Sequence, residues 1–182
     1  MTLGPGSPRV YLVDASEENL DEVSLRATAR VLSEGWPYSS RSYCFPFALI
    51  ALHEDRVGVD IEQIVAWSGD EVCSILTPAE RDIPRRPRTD FWATSIWSSK
   101  EAAAKAFGDA TRYDPRRLES PLFWPQGEAG RWRASTLPVP ADHVAWLCWL
   151  PIRSGPPFFQ PPVPWRRGDD SCASLSSTSV KP

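Results

Sequence analysis

The chain has 182 residues, of which 42% are hydrophobic and nine are tryptophan, enough to bury one core but short of two full-sized domains. A net charge of -3, from 20 basic and 23 acidic side chains, gives no chain-wide positive field of the kind that binds nucleic acid. Cys44, Cys73, Cys148 and Cys172 form no C-x-x-C pair, and only His53 and His143 could assist them, so neither a zinc site nor a disulfide framework is expected. No basic-then-apolar leader opens the chain, and no apolar run approaches the roughly 18 residues of a membrane span. The expectation is a cytoplasmic, reduced protein.

In chain order, Val10 to Val13 reads as a short strand. A helix carrying Leu20, Val23, Leu25, Ala29 and Val31 follows, with a cap expected in the Asp14/Ser16 region. The apolar stretch Tyr43 to Leu52 and the alternating Val57 to Glu62, separated by His53 to Arg56, predict a β-hairpin. Thr77-Pro78-Ala79-Glu80 has the hydroxyl, proline and glutamate of a capped helix start, kept short by Pro84 and Pro87. The longest helix should begin at Thr89 or Asp90, carry Phe91, Trp92, Ile96, Trp97 and Ala102 to Ala104, and stop at Gly108. Segments 131–135 and 143–150 read as paired strands. From Pro151 on, seven of 32 residues are proline and the end is Ser/Thr/Asp-rich, a composition that cannot offset ordering entropy. The reading is one α+β domain, antiparallel strands packed on a long helix, with boundaries at 1–40 for an N-terminal β-α segment, 41–150 for the main domain and 151–182 for a disordered tail.

Two carboxylates, Asp60 and Glu62, project from one face of the strand Val57 to Glu62, while Val59 and Ile61 point to the core. Their shared charge is costly unless a cation lies between them, and such oxygen ligands suit Mg²⁺. On the long helix, Glu101 and Lys105 lie four apart on one face, and Lys100 sits about 100° round the axis from Glu101. A helix packed against the strand would let Glu101 complete a three-carboxylate site, with Lys105 and Lys100 facing substrate phosphates. Ser98 and Ser99 read as helix-surface residues. Arg81, Arg85, Arg86, Arg88 and Arg116-Arg117 read as solvated loops, or as a patch for an acidic protein partner, rather than a nucleic-acid surface.

Val57-Gly58-Val59-Asp60-Ile61-Glu62, followed by Trp97-Ser98-Ser99-Lys100-Glu101-Ala102-Ala103-Ala104-Lys105 with Glu101 41 positions after Asp60, resembles the two signature motifs of the 4′-phosphopantetheinyl transferases, in particular the surfactin-synthetase-type branch. The resemblance covers about Ser42 to Leu150. It implies transfer of phosphopantetheine from coenzyme A to a serine of an apo acyl or peptidyl carrier protein. By it, Asp60, Glu62 and Glu101 would hold Mg²⁺, Glu101 would help deprotonate the serine, and Lys105 would steady the phosphates. Where that branch has a phosphate-contacting histidine, this chain has Tyr43 in Ser42-Tyr43-Cys44, beside Arg41; the phenol can donate one hydrogen bond but carries no charge, Arg41 is a candidate to compensate, and the equal alternative is that Tyr43 is a strand aromatic packed in the core. The N-terminal pseudo-repeat of that branch is shortened here, and the resemblance allows self-association to restore it. The alternative is a protein of the same fold that binds coenzyme A or a carrier protein without turnover. Tyr43 and the short N-terminal segment favour it, and the complete set Asp60, Glu62, Glu101 and Lys105 opposes it.

Overall fold

The computed structural model describes residues 6–83 and 89–152. The expected tail from residue 153 on, and Arg85, Arg86 and Arg88, lie outside these. The architecture is α+β, as expected, with two antiparallel sheets and a long helix.

The first sheet is built from β1 (Arg9–Asp14), β2 (Tyr38–Cys44) and β3 (Phe47–His53) in the order β1-β3-β2. All seven residues of β3 are buried, because its alternating side chains meet different partners. Ala48, Ile50 and Leu52 pack with Leu25 and Ala29 of helix α1 (Glu22–Ser33), while Phe47, Leu49 and Ala51 join Val57, Val59, Ile61 and Leu147 in a second cluster. Each fully buried aliphatic side chain in these clusters is worth about 1.5–3 kcal/mol.

Helix α1 starts later than expected. Asp21 is its cap, accepting from the Ser24 N–H at 2.7 Å, whereas Asp14 accepts from the N–H and hydroxyl of Ser16 and closes a turn at the end of β1. Val23 and Val31 are exposed, and the buried stripe is Leu25, Ala29 and Ser33.

The second sheet has the order β4-β7-β6-β5, from β4 (Val57–Gln63), β5 (Glu128–Ala129), β6 (Trp132–Thr136) and β7 (His143–Trp149). The pairing of β6 with β7 agrees with the sequence expectation. The hairpin expected between Tyr43–Leu52 and Val57–Glu62 does not form: both edges of β3 are occupied, by β1 and β2, so β4 pairs with β7 instead, Asp60 lying opposite Trp146. The two sheets meet where β2 runs beside β4. There Ser40 Oγ accepts from the Val59 N–H at 3.1 Å and Ser42 Oγ donates to Asp60 Oδ1 at 2.8 Å.

Helix α4 (Asp90–Phe107) is capped by Thr89, whose Oγ1 accepts from the Trp92 N–H, and ends at Gly108 with φ of 84°. Its alanine-rich face lies on β4 and β7. Gly58 makes this contact possible: a Cβ there would sit 2.0 Å from the Ala102 carbonyl oxygen and 2.4 Å from the Ala106 nitrogen, so any larger residue would lift α4 off β4. Helix α3 (Pro78–Arg81) begins, as expected, with reciprocal capping between Thr77 and Glu80. Helix α2 (Gly69–Ile75), which the sequence reading missed, carries the same device at Ser68 and Glu71.

Candidate active site

Strand β4 and helix α4 supply the charged residues, and Gly58 sets their separation. Alternation along β4 sends Val59 and Ile61 into the core and turns Asp60, almost fully buried, and Glu62, partly exposed, toward α4. From α4, Lys105 reaches back: its Nζ donates to Asp60 Oδ1 at 2.7 Å, to the Val59 carbonyl at 3.2 Å and to Ser42 Oγ at 3.3 Å. Glu62 Oε1 accepts from the Trp97 indole N–H at 3.2 Å, and Glu101 Oε1 accepts from the Tyr113 hydroxyl at 2.6 Å.

These carboxylates sense one another. Burial, then the negative charge of Asp60, pushes Glu62 from 4.5 up to about 7, against the pull of the Trp97 hydrogen bond and Lys105. Glu101 is raised by burial above all, with Asp60 adding to the rise and the Tyr113 hydrogen bond and Lys105 opposing it. Burial likewise raises Tyr113, which keeps its hydroxyl a donor toward Glu101.

Among the described residues no group of three or more His, Cys, Asp or Glu side chains is already gathered as a metal cage; Lys105 neutralises Asp60 in their place. The donor set nonetheless fits a hard divalent cation. Asp60 Oδ2 is buried with no hydrogen-bond partner, and an orphaned carboxylate oxygen beside two further acids with raised proton affinity is the chemistry such a cation relieves.

Beside this cluster, a cavity of about 540 Å³ opens between α1, β2 and the C-terminal end of α4. Arg26, Arg30, Arg41 and Lys105 contribute to its lining together with Tyr43 and Thr111, and no acidic side chain does among the described residues. Four cations give this cavity a basic lining, although Arg26 is also paired with Glu22 at 2.9 Å and Lys105 with Asp60 at 2.7 Å. Arg26 also stacks on the Tyr43 ring, 4.4 Å from its centroid, and Arg41 donates to Ser33 Oγ at 2.9 Å. Tyr43 therefore serves two settings, packing on the α1 cluster and forming cavity wall. Arg26 and Arg30 were missed by the sequence reading. Their spacing carried no clear signal, because Glu22, four residues before Arg26, pairs with it at 2.9 Å as an ordinary helix-surface ion pair.

Lys100 requires a correction. Expected to face phosphates, it is fully buried on the other side of α4, where Nζ donates to Glu80 Oε2 and the Ile75 carbonyl at 2.6 Å each and to the Pro115 carbonyl at 2.8 Å. All three ammonium protons are used, and burial lowers its pKa against the pull of Glu80. Ser98 and Ser99 are core residues rather than surface ones, both fully buried, with Ser99 Oγ 2.6 Å from Ser120 Oγ. Ser42, Asp60, Glu62, Glu101 and Lys105 are brought together; Tyr43 and Arg41 lie in the adjoining cavity. Cys44, Cys73 and Cys148 are free thiols.

No curated protein matches the chain. Residues 56–145, just under half of the chain, match the family model of the 4′-phosphopantetheinyl transferase superfamily. That stretch contains β4, α4 and hence Asp60, Glu62, Glu101 and Lys105, so the part of the chain that carries the acidic cluster is the part similar to phosphopantetheine-transferring enzymes.

Proposed function

We propose that the chain is a magnesium-dependent 4′-phosphopantetheinyl transferase of the surfactin-synthetase type, acting in the cytoplasm on a serine of an apo acyl or peptidyl carrier protein with coenzyme A as donor. The observation that carries this reading is the double position of Lys105. Its ammonium lies 2.7 Å from Asp60 and the residue also contributes to the lining of the basic cavity, so one side chain joins an acidic cluster suited to a cation to a pocket suited to a polyanion. Coenzyme A, with a pyrophosphate and a 3′-phosphate, is such a polyanion.

In this reading Arg26, Arg30 and Arg41 hold the phosphate groups of the nucleotide end, and the Tyr43 hydroxyl offers a further donor. Their charge replaces what a histidine at position 43 would supply. The carrier serine oxygen attacks the β-phosphorus of coenzyme A. A new oxygen–phosphorus bond forms, the bond to the bridging oxygen breaks, and its electron pair leaves with 3′,5′-ADP. Glu101 takes the serine proton, and the Lys105 ammonium stands against the charge that develops on the phosphoryl oxygens. Mg²⁺, held by Asp60, Glu62 and Glu101, supplies neutralisation of that charge when bound.

The test is to mix the protein with coenzyme A, Mg²⁺ and a panel of apo carrier proteins and to follow intact mass. Addition of one phosphopantetheine to a carrier serine, lost with EDTA, is expected. Saturable coenzyme A binding with no mass gain on any carrier would favour the binding-only alternative.

A further inference from the structure

We infer that Tyr113 is a positioning residue for Glu101, and that segment 108–113 ties the orientation of that carboxylate to the wall of the basic cavity. The inference rests on the proposed function, because it assigns Tyr113 a role in holding a carboxylate that takes a divalent cation.

The geometry begins at Gly108. Its left-handed conformation ends α4, and the following turn is pinned by three backbone bonds: Asp109 N–H to the Ala104 carbonyl, and Arg112 and Tyr113 N–H to the Asp109 carbonyl. One side of this turn supplies Gly108, Ala110 and Thr111 to the cavity. The other carries Tyr113, which packs on the cluster that includes Leu118 and Trp124 and delivers its hydroxyl to Glu101 Oε1 at 2.6 Å. The phenol is thus fixed at both ends, by apolar packing of the ring and by one short bond to a charged acceptor. No other hydrogen bond to the Glu101 carboxylate is present among the described residues. Without the hydroxyl, the Glu101 side chain has no described anchor and its rotamers become free, a cost that any cation drawing on Glu101 would then have to meet.

The probe is Mn²⁺, titrated into the full chain without coenzyme A and followed by the resonance signal of the free ion. Tyr113→Phe keeps the ring and is expected to bind Mn²⁺ roughly tenfold more weakly, with an unchanged melting temperature and unchanged coenzyme A affinity in EDTA. In a Glu101→Gln background the same change should have no further effect on Mn²⁺, since nothing charged is left to position. Mn²⁺ affinity in Tyr113→Phe within twofold of the unaltered chain overturns the inference and leaves the proposed function standing. Equal weakening in both backgrounds overturns it too, since the hydroxyl then acts other than through Glu101. Failure of the unaltered chain to bind Mn²⁺ saturably removes the proposed metal site and the inference with it.

Discussion

Helix α4 makes two lysine–carboxylate pairs, one on each of two faces, and they are opposites. Lys100 and Glu80 are sealed: the lysine spends its three protons on Glu80 and two carbonyls, while Glu80 also accepts from the N–H groups of Thr77 and Ser120. Side-chain exposures are 0% and 1%. Lys105 and Asp60 are open: the lysine side chain is 21% exposed and lines a cavity, and one oxygen of Asp60 has no partner. A buried polar network with every valence satisfied holds elements together, here α2, α3, α4 and the 115–120 segment. One left with an orphaned acceptor and a partly exposed cation at its rim is available for binding.

The comparison breaks most visibly at the sealed pair. Lys100→Met preserves volume but strands the Glu80 charge in the core, and should cost about 3–5 kcal/mol of stability, read as a large fall in denaturation midpoint. Combining it with Glu80→Gln should recover part of the loss. A near-unchanged midpoint in the single variant would show that Glu80 is less dependent on Lys100 than its geometry states.

The open pair should behave the other way. Asp60→Ala is expected to reduce carrier-protein modification by about 100-fold or more, measured by intact mass against time. Its thermal stability should match or exceed that of the unaltered chain, because Lys105 can turn to solvent and repulsion with Glu62 is relieved. Undiminished transfer, or a fall in stability as large as that of Lys100→Met, would erase the distinction between the two pairs.

The smallest effect sharpens the picture of the open cluster. Glu62 has its folded pKa raised from 4.5 to about 7, so the folded state holds the proton more tightly than the unfolded one. The corresponding stability is present below about pH 4.5 and lost as pH rises through about 7. In EDTA, Glu62→Gln should therefore gain on the unaltered chain across that window, levelling off above it at about 1–2 kcal/mol after allowance for solvent screening. Melting curves of both proteins against pH check this, and parallel curves would mean that Glu62 is not strained by its neighbours.

Local chemistry was legible in the amino-acid order. Thr77 and Glu80 announce a capped helix start, Thr89 and Gly108 bound the long helix, and the alternation from Val57 to Glu62 puts two carboxylates on one face. The Ser68/Glu71 box was equally local and was overlooked. These features depend on residues within one turn or one strand, whose hydrogen bonds close without help from the rest of the chain.

Only the tertiary structure decided the rest. Lys100 and Lys105 stand about 140° apart around the helix axis, and which of them meets solvent depends on which face Gly58 admits against β4. The partner of β4 is β7 because β3 has no free edge, a fact about strands far apart in sequence. Arg26 and Arg30 become cavity wall because α1 is anchored on β3 by Leu25 and Ala29, which holds its basic face beside β2 and Lys105. The sequence determined which groups carry charge; close packing of distant segments determined which charges are satisfied in the core and which are left to act.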